Sequence, residues 1–165
     1  MATQGHHLST YDKTTLPDAT HFKIGIVVSE WNAQITENLF QGTFDALTDC
    51  GVRSDNIVRW NVPGSFELIY GCKQMTQSYD MLDAVIGIGS VIEGETQHFD
   101  FVCQGVTQGI KDLNVQGQIP VIFCVLTDRT LQQSIDRSGG KHGNKGVEAA
   151  IAAIKMAQLR KEAKF

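Results

Sequence analysis

Cysteine is little used in this chain and widely scattered: Cys50, Cys72, Cys103 and Cys124 form no C-x-x-C pair and no His or Cys spacing suited to zinc. A disulfide framework and a metal module are therefore not expected, and buried reduced thiols are. Such thiols point to the cytoplasm or a similarly reducing compartment, with an organelle open if a transit peptide has been removed. No apolar run reaches the length of a membrane span, and the start, MATQGHHLSTYDK, carries no apolar stretch for export. Positive charge is not in excess. Lys and Arg number 14 against 18 Asp and Glu, a net charge of −4, so neither nucleic acid nor an acidic membrane surface is an expected partner. The nucleotide motifs are also missing. A dinucleotide fingerprint needs a third glycine where Ile92 stands. The glycine-rich run 139–146 follows no strand, and His142 follows Lys141 where a P-loop requires Ser or Thr.

What is present is ordinary globular material, 42% hydrophobic and 19% charged over 165 residues, enough for one domain with its own core. Residues 1–21 are polar, contain Pro17 and show no periodicity, so they read as a flexible N-terminal arm with His6 and His7 on a solvated tail. Residues 22–165 form the folded domain. Its centre is the run 84–92, AVIGIGSVI, the pattern of a strand buried on both faces of a parallel sheet. Glu93-Gly94-Glu95-Thr96 breaks the run, and Phe99, Val102, Val106, Ile110 and Leu113 then return at helical intervals, predicting a helix from Thr96 or Gln97.

The same alternation recurs along the chain. Strands are predicted at 23–29, 56–62 and 121–126. Helices follow at 35–50, stopped by Gly51, at 65–75, at 131–137 capped by Thr127-Asp128, and at 147–161. This order calls for a three-layer α/β/α sandwich with a four-stranded parallel sheet, flavodoxin-like in class. Ligands of such sheets lie at the carboxyl ends of the strands, where Glu30-Trp31-Asn32, Pro63-Gly-Ser-Phe-Glu67 and the stretch 89–98 all fall.

Several side chains there have two readings. His98, in the first turn of its helix, is a proton carrier beside an anion site or a surface histidine on a capped helix. Backbone amides at Glu95, Thr96 and Gln97, with the Thr96 hydroxyl, could hold a phosphate. Arg137, Lys141 and Lys145 could supply countercharge or form a solvated helix end. Trp31 either stacks on a planar heterocycle or covers the sheet edge. Glu67 accepts from a polyol or pairs with a helix dipole. Phe66 and Phe123 read as core.

Taken together, Trp31-Asn32, Val62-Pro-Gly-Ser-Phe-Glu67, Gly94-Glu-Thr-Gln-His98 and Arg137-Ser-Gly-Gly-Lys-His-Gly-Asn-Lys-Gly146 resemble the 6,7-dimethyl-8-ribityllumazine synthase family, in order and without gaps over about residues 23–159. The resemblance implies condensation of 5-amino-6-(D-ribitylamino)uracil with 3,4-dihydroxy-2-butanone 4-phosphate, without cofactor or metal, in sites between adjacent subunits of a homopentamer or a pentamer-based icosahedral shell. By the same resemblance Trp31 stacks on the pyrimidine, while Ser65, Phe66 and Glu67 hold the ribityl chain. Ser90, Val91 and Ile92 contact the uracil, Glu95 (through its backbone N–H) and Thr96 bind the phosphate, and His98 transfers protons. Phe123 and Arg137 come from the neighbouring subunit, Arg137 reaching the phosphate with Lys145 assisting. A tryptophan at the stacking position adds an expectation of riboflavin binding. Other readings are a non-catalytic ribityl-ligand carrier, which would need neither His98 nor Arg137, and a shell-forming structural protein, which is compatible with catalysis.

Overall fold

β3, Ala84–Ile92, is buried along seven consecutive residues before its last two reach the edge of the sheet. In this computed structural model, which describes residues 7–78 and 81–163, β3 lies between β1 (Ile24–Ser29) and β4 (Val121–Asp128), with β2 (Ile57–Val62) outside β1. The sheet order is β2-β1-β3-β4 and every pairing is parallel, Ile24 lying opposite both Ile57 and Ala84. Between the strands run α1 (Ala33–Asp49), α2 (Leu68–Ser78) and α3 (His98–Gln116); α4 (Leu131–Arg137) and α5 (Lys145–Glu162) follow β4.

Strand alternation sorts the helices onto two faces. Ile24, Ile26 and Val28 of β1 pack with Ile35, Leu39 and Leu47 of α1 and with Ala150, Ala153, Ile154 and Ala157 of α5. Val27 of the same strand joins Leu68, Cys72 and Met75 of α2 and Val106 and Ile110 of α3 on the other side. The alanines of α5 let it approach α1 closely. The result is the predicted three-layer sandwich on a four-stranded parallel sheet.

The local differences have physical causes. Thr127 and Asp128 do not cap α4, because they continue β4, opposite Val91 and Ile92. The cap is Thr130, whose hydroxyl accepts from the Gln133 N–H while the Gln133 side chain returns to the Thr130 N–H. α2 starts at Leu68 rather than Ser65: Leu68 N–H donates to Ser65 O and Ile69 N–H to Phe66 O, both at 3.3 Å, so Ser65-Phe66-Glu67 is a tight turn. The glycine-rich loop is an antiparallel hairpin, β5 (Ser138–Gly140) with β6 (Gly143–Asn144). Only two thiols are buried. Cys72 and Cys124 are pushed up to about 12 by burial, while Cys50 and Cys103 are half-buried; all are free.

Residues 1–6, including His6, lie outside the described residues; His7 is exposed. The segment assigned to the arm touches its own domain from there on. Leu8 N–H donates to His142 O at 2.8 Å, Tyr11 Oη to Asp49 at 2.5 Å and Lys13 Nζ to Asp49 at 2.6 Å, while Ala19 is buried. Among the described residues, no helix is long and apolar enough to cross a membrane.

Candidate active site

The carboxyl ends of β1, β2 and β3 open into a cleft of about 750 Å³, walled on its far side by the first turns of α3. Trp31, Ser65, Phe66, Glu67, Ser90, Val91, Ile92, Thr96 and His98 all line it.

The Trp31 turn prolongs the ladder between β1 and β2: Glu30 N–H donates to Val62 O at 2.8 Å and Trp31 N–H to Pro63 O at 3.0 Å. The backbone is therefore held while the indole stands 72% exposed. Asn32 then adopts the left-handed conformation, φ 60° and ψ 45°, and its side-chain Nδ2 donates to Ser90 O at 2.9 Å. That bond ties the end of β1 to the end of β3. The sequence motif contained Asn32 without assigning it a task; an asparagine after a strand and before a helix is the available signal for a left-handed turn.

The floor is polar where the walls are not. Among the described residues, the hydroxyls of Ser29, Ser65 and Ser90 are buried without a hydrogen-bond partner, and two of these residues, Ser65 and Ser90, line the cleft. An unmatched buried hydroxyl costs about 1–3 kcal/mol. Close packing builds this floor. A Cβ on Gly89 would sit 2.5 Å from Ser65 Oγ, so a larger residue there would displace the Ser65 side chain. Gly105 of α3 likewise leaves room for the Phe66 ring, which a Cβ would meet at 2.6 Å. Phe66 is thus a wall of the cleft, 51% exposed, rather than core. Phe101, 67% exposed, faces the same cleft and was missed because it lies off the buried stripe of its helix.

On the far side, the exposed turn 93–97 leads into α3, and His98 is its first residue, placed at the positive end of the helix dipole. The His98 N–H donates to Thr96 Oγ1 at 3.4 Å, bringing the hydroxyl and the imidazole-bearing residue together at the helix start. The remaining sequence-assigned residues stand outside this lining. Glu95 is exposed on the turn. Phe123 lies in mid-strand opposite Gly87 and is packed, partly buried, against the α2/α3 core. Arg137 ends α4, with Nη1 donating to Gln133 O at 3.1 Å and Nε 3.9 Å from Asp128 Oδ1. Beside it, Gln132 and then Lys141 hold the Asp136 carboxyl below the usual carboxylate range. Lys145 opens α5 and pairs with Glu148. One chain brings Trp31, Ser65, Ser90 and His98 together at the cleft and leaves Phe123, Arg137 and Lys145 outside its lining.

Residues 21–161 match the family model of 6,7-dimethyl-8-ribityllumazine synthase. The chain belongs to this family. A relative of that name from Christiangramia forsetii is 73% identical over 165 residues, spanning 100% of this chain and 98% of its own. Relatives of the same name from Flavobacterium johnsoniae and Porphyromonas gingivalis are 69% and 53% identical, covering 99% and 98% of this chain and 85% and 99% of their own length. The lumazine synthase match thus spans the sheet, the cleft and the hairpin that follows α4.

Proposed function

We propose that the cleft at the ends of β1, β2 and β3 is where this lumazine synthase family enzyme condenses 5-amino-6-(D-ribitylamino)uracil with 3,4-dihydroxy-2-butanone 4-phosphate, the penultimate step of riboflavin biosynthesis. The observation that carries the reading is the joint lining of one cleft by Trp31, Ser65, Phe66, Ser90, Thr96 and His98. The pyrimidine stacks on Trp31, its ribityl chain lies along Ser65, Phe66 and Glu67, and its polar edge meets Ser90, Val91 and Ile92.

The substrate amine adds to the butanone carbonyl and water leaves to give an imine. Elimination then expels inorganic phosphate and generates an enol, which becomes a ketone. Attack by the ribityl-bearing nitrogen closes the ring, and a second water departs. The sequence is redox-neutral and brings its own leaving group. Holding two substrates together supplies much of the acceleration. His98 carries protons to and from the amine, the carbinolamine and the enol. Thr96, the Glu95 N–H and Arg137, with Lys145 assisting, stabilise the departing phosphate.

Since Phe123 and Arg137 lie outside the lining of their own chain's cleft, and Trp31, Phe66 and Phe101 are left exposed around it, the site is completed by a neighbouring copy in a pentamer or a pentamer-based shell. Riboflavin, whose isoalloxazine ring system suits the exposed indole, is a second, competing ligand. The decisive experiment mixes the full-length protein with both substrates and follows the fluorescence of the lumazine. Growth of that signal with release of one phosphate per lumazine is the expected result. Pyrimidine binding without product would make the protein a carrier.

A further inference from the structure

The Arg137 guanidinium has a fixed carboxylate beside it that the proposed reaction does not use. Asp128 closes β4 and is 8% exposed. Its main-chain oxygen accepts from the Glu93 N–H at 3.0 Å, and its Oδ2 accepts from Ser134 Oγ at 2.9 Å, Ser134 being fully buried in α4. The carboxylate is thus anchored at the backbone and at the side chain. Its other oxygen, Oδ1, lies 3.9 Å from Arg137 Nε, within ion-pair reach but too far for a hydrogen bond.

This spacing matters. A bonded carboxylate would orient the guanidinium; at 3.9 Å it contributes mainly charge. Arg137 is already oriented by other means, through the bond from Nη1 to Gln133 O. The other charges flanking α4 are matched in opposite-sign pairs, Lys141 with Asp136 at 3.0 Å at its carboxyl end and Arg129 with Glu93 at 3.7 Å before its amino end. Asp128 is thus the carboxylate within ion-pair reach of Arg137, and burial limits the solvent available to screen it.

We propose that Asp128 lowers the affinity of the Arg137 site for phosphate, so that the phosphate substrate binds loosely and inorganic phosphate leaves readily. The inference rests on the assignment of Arg137 to the phosphate made above. Its chemical logic follows from the reaction. The phosphate group is present in the ground state and in the expelled product, so binding it tightly throughout would lower KM without raising kcat and would retain the product. A carboxylate permanently beside the guanidinium opposes that retention, and opposes a dianion more than a monoanion.

The test is Asp128→Asn in the full-length assembly, which removes the charge and keeps an oxygen to accept from Ser134. KM for the phosphate substrate and Ki for inorganic phosphate should both fall, by about three- to thirtyfold for one charge acting over several ångströms in a half-screened site. KM for the pyrimidine should stay unchanged and kcat should not rise. The difference from wild type should be largest above pH 7, where the phosphate is a dianion, and shrink below its second pKa of about 6. Asp128→Thr, neutral and shorter, provides the same comparison should the asparagine variant fail to assemble. Unchanged phosphate constants, or a raised KM, would overturn the inference, the latter by showing that Asp128 holds Arg137 in place. Arg137→Ala separates this from the underlying reading: a raised phosphate KM in that variant upholds the assignment of Arg137, and an unchanged one removes it together with the role of Asp128.

Discussion

Asn32 Nδ2 donates to Ser90 O across 2.9 Å, joining the residue after Trp31 to the carboxyl end of β3. Asn32 is also the one non-glycine residue with positive φ among the described residues, at 60°. The strained turn and the cross-strand bond are one device: the backbone turns left-handed, and its side chain secures the turn to the neighbouring strand. Trp31, held at its N–H by Pro63 O at 3.0 Å, is fixed from both sides.

Asn32→Ala should therefore lose both the bond and a residue tolerant of that backbone, at a cost of about 1–3 kcal/mol. Asn32→Gly should recover the conformational part alone. Thermal melting orders the variants as wild type, glycine, alanine. Equal melting of all three would show that the bond and the backbone are energetically silent.

In the proposed reaction His98 moves protons while binding is left to other residues. His98→Ala should slow turnover by about ten- to a thousandfold, the loss of one acid–base group where proximity still operates. Pyrimidine affinity, read by equilibrium fluorescence, should change little. An unaltered kcat would remove His98 from the mechanism.

Arg137 stands outside the lining of its own cleft. Arg137→Ala should weaken the phosphate substrate by about 2–4 kcal/mol while sparing the pyrimidine, because only the phosphate loses a charge-assisted partner. Mixed oligomers of His98→Ala and Arg137→Ala chains should regain activity, since some interfaces then carry both native residues. No recovery after demonstrated subunit exchange would mean that each site is built within one chain.

Trp31 is 72% exposed and lines the cleft. Riboflavin should bind in competition with the pyrimidine and quench indole emission. Trp31→Phe should weaken it by about 0.5–1.5 kcal/mol, the increment of an aromatic pair. Repeating the titration by flavin fluorescence in that variant separates Trp31 from Trp60. Equal affinity in the two proteins would make Trp31 a lid on the sheet edge.

Arg59 forms two hydrogen bonds to Glu37, at 2.5 and 2.9 Å, linking β2 to α1 and holding the Glu37 carboxyl below its ordinary range. A depressed folded-state pKa stabilises at pH values above the unfolded value and is lost as pH falls through the folded one. Glu37→Gln should thus cost stability at pH 7 and progressively less once the pH drops below about 4. The pair is half exposed, so the cost stays under about 1 kcal/mol. Urea midpoints at the two ends of that range measure it; an equal cost at both would assign the effect to packing.

Sequence alone determined the layers and the sheet. Strands of β-branched residues punctuated by glycine, and helices with apolar residues three and four apart, report burial through spacing, which is a local property. The family motifs were legible for a related reason: a turn packed closely against a strand admits few residue types, as Gly89 against Ser65 illustrates. Tertiary structure decided what depends on distant partners. Thr127-Asp128 reads as a helix cap, yet the ladder opposite Val91 and Ile92 draws both residues into β4. Phe66 reads as core, yet the turn before α2 and the space at Gly105 set it on the cleft wall. The same holds for Asp128 beside Arg137, nine residues apart in sequence and 3.9 Å apart across the end of α4. Periodicity records how often a side chain is buried; which charge or ring it meets there is set by strands and helices brought together from distant parts of the chain.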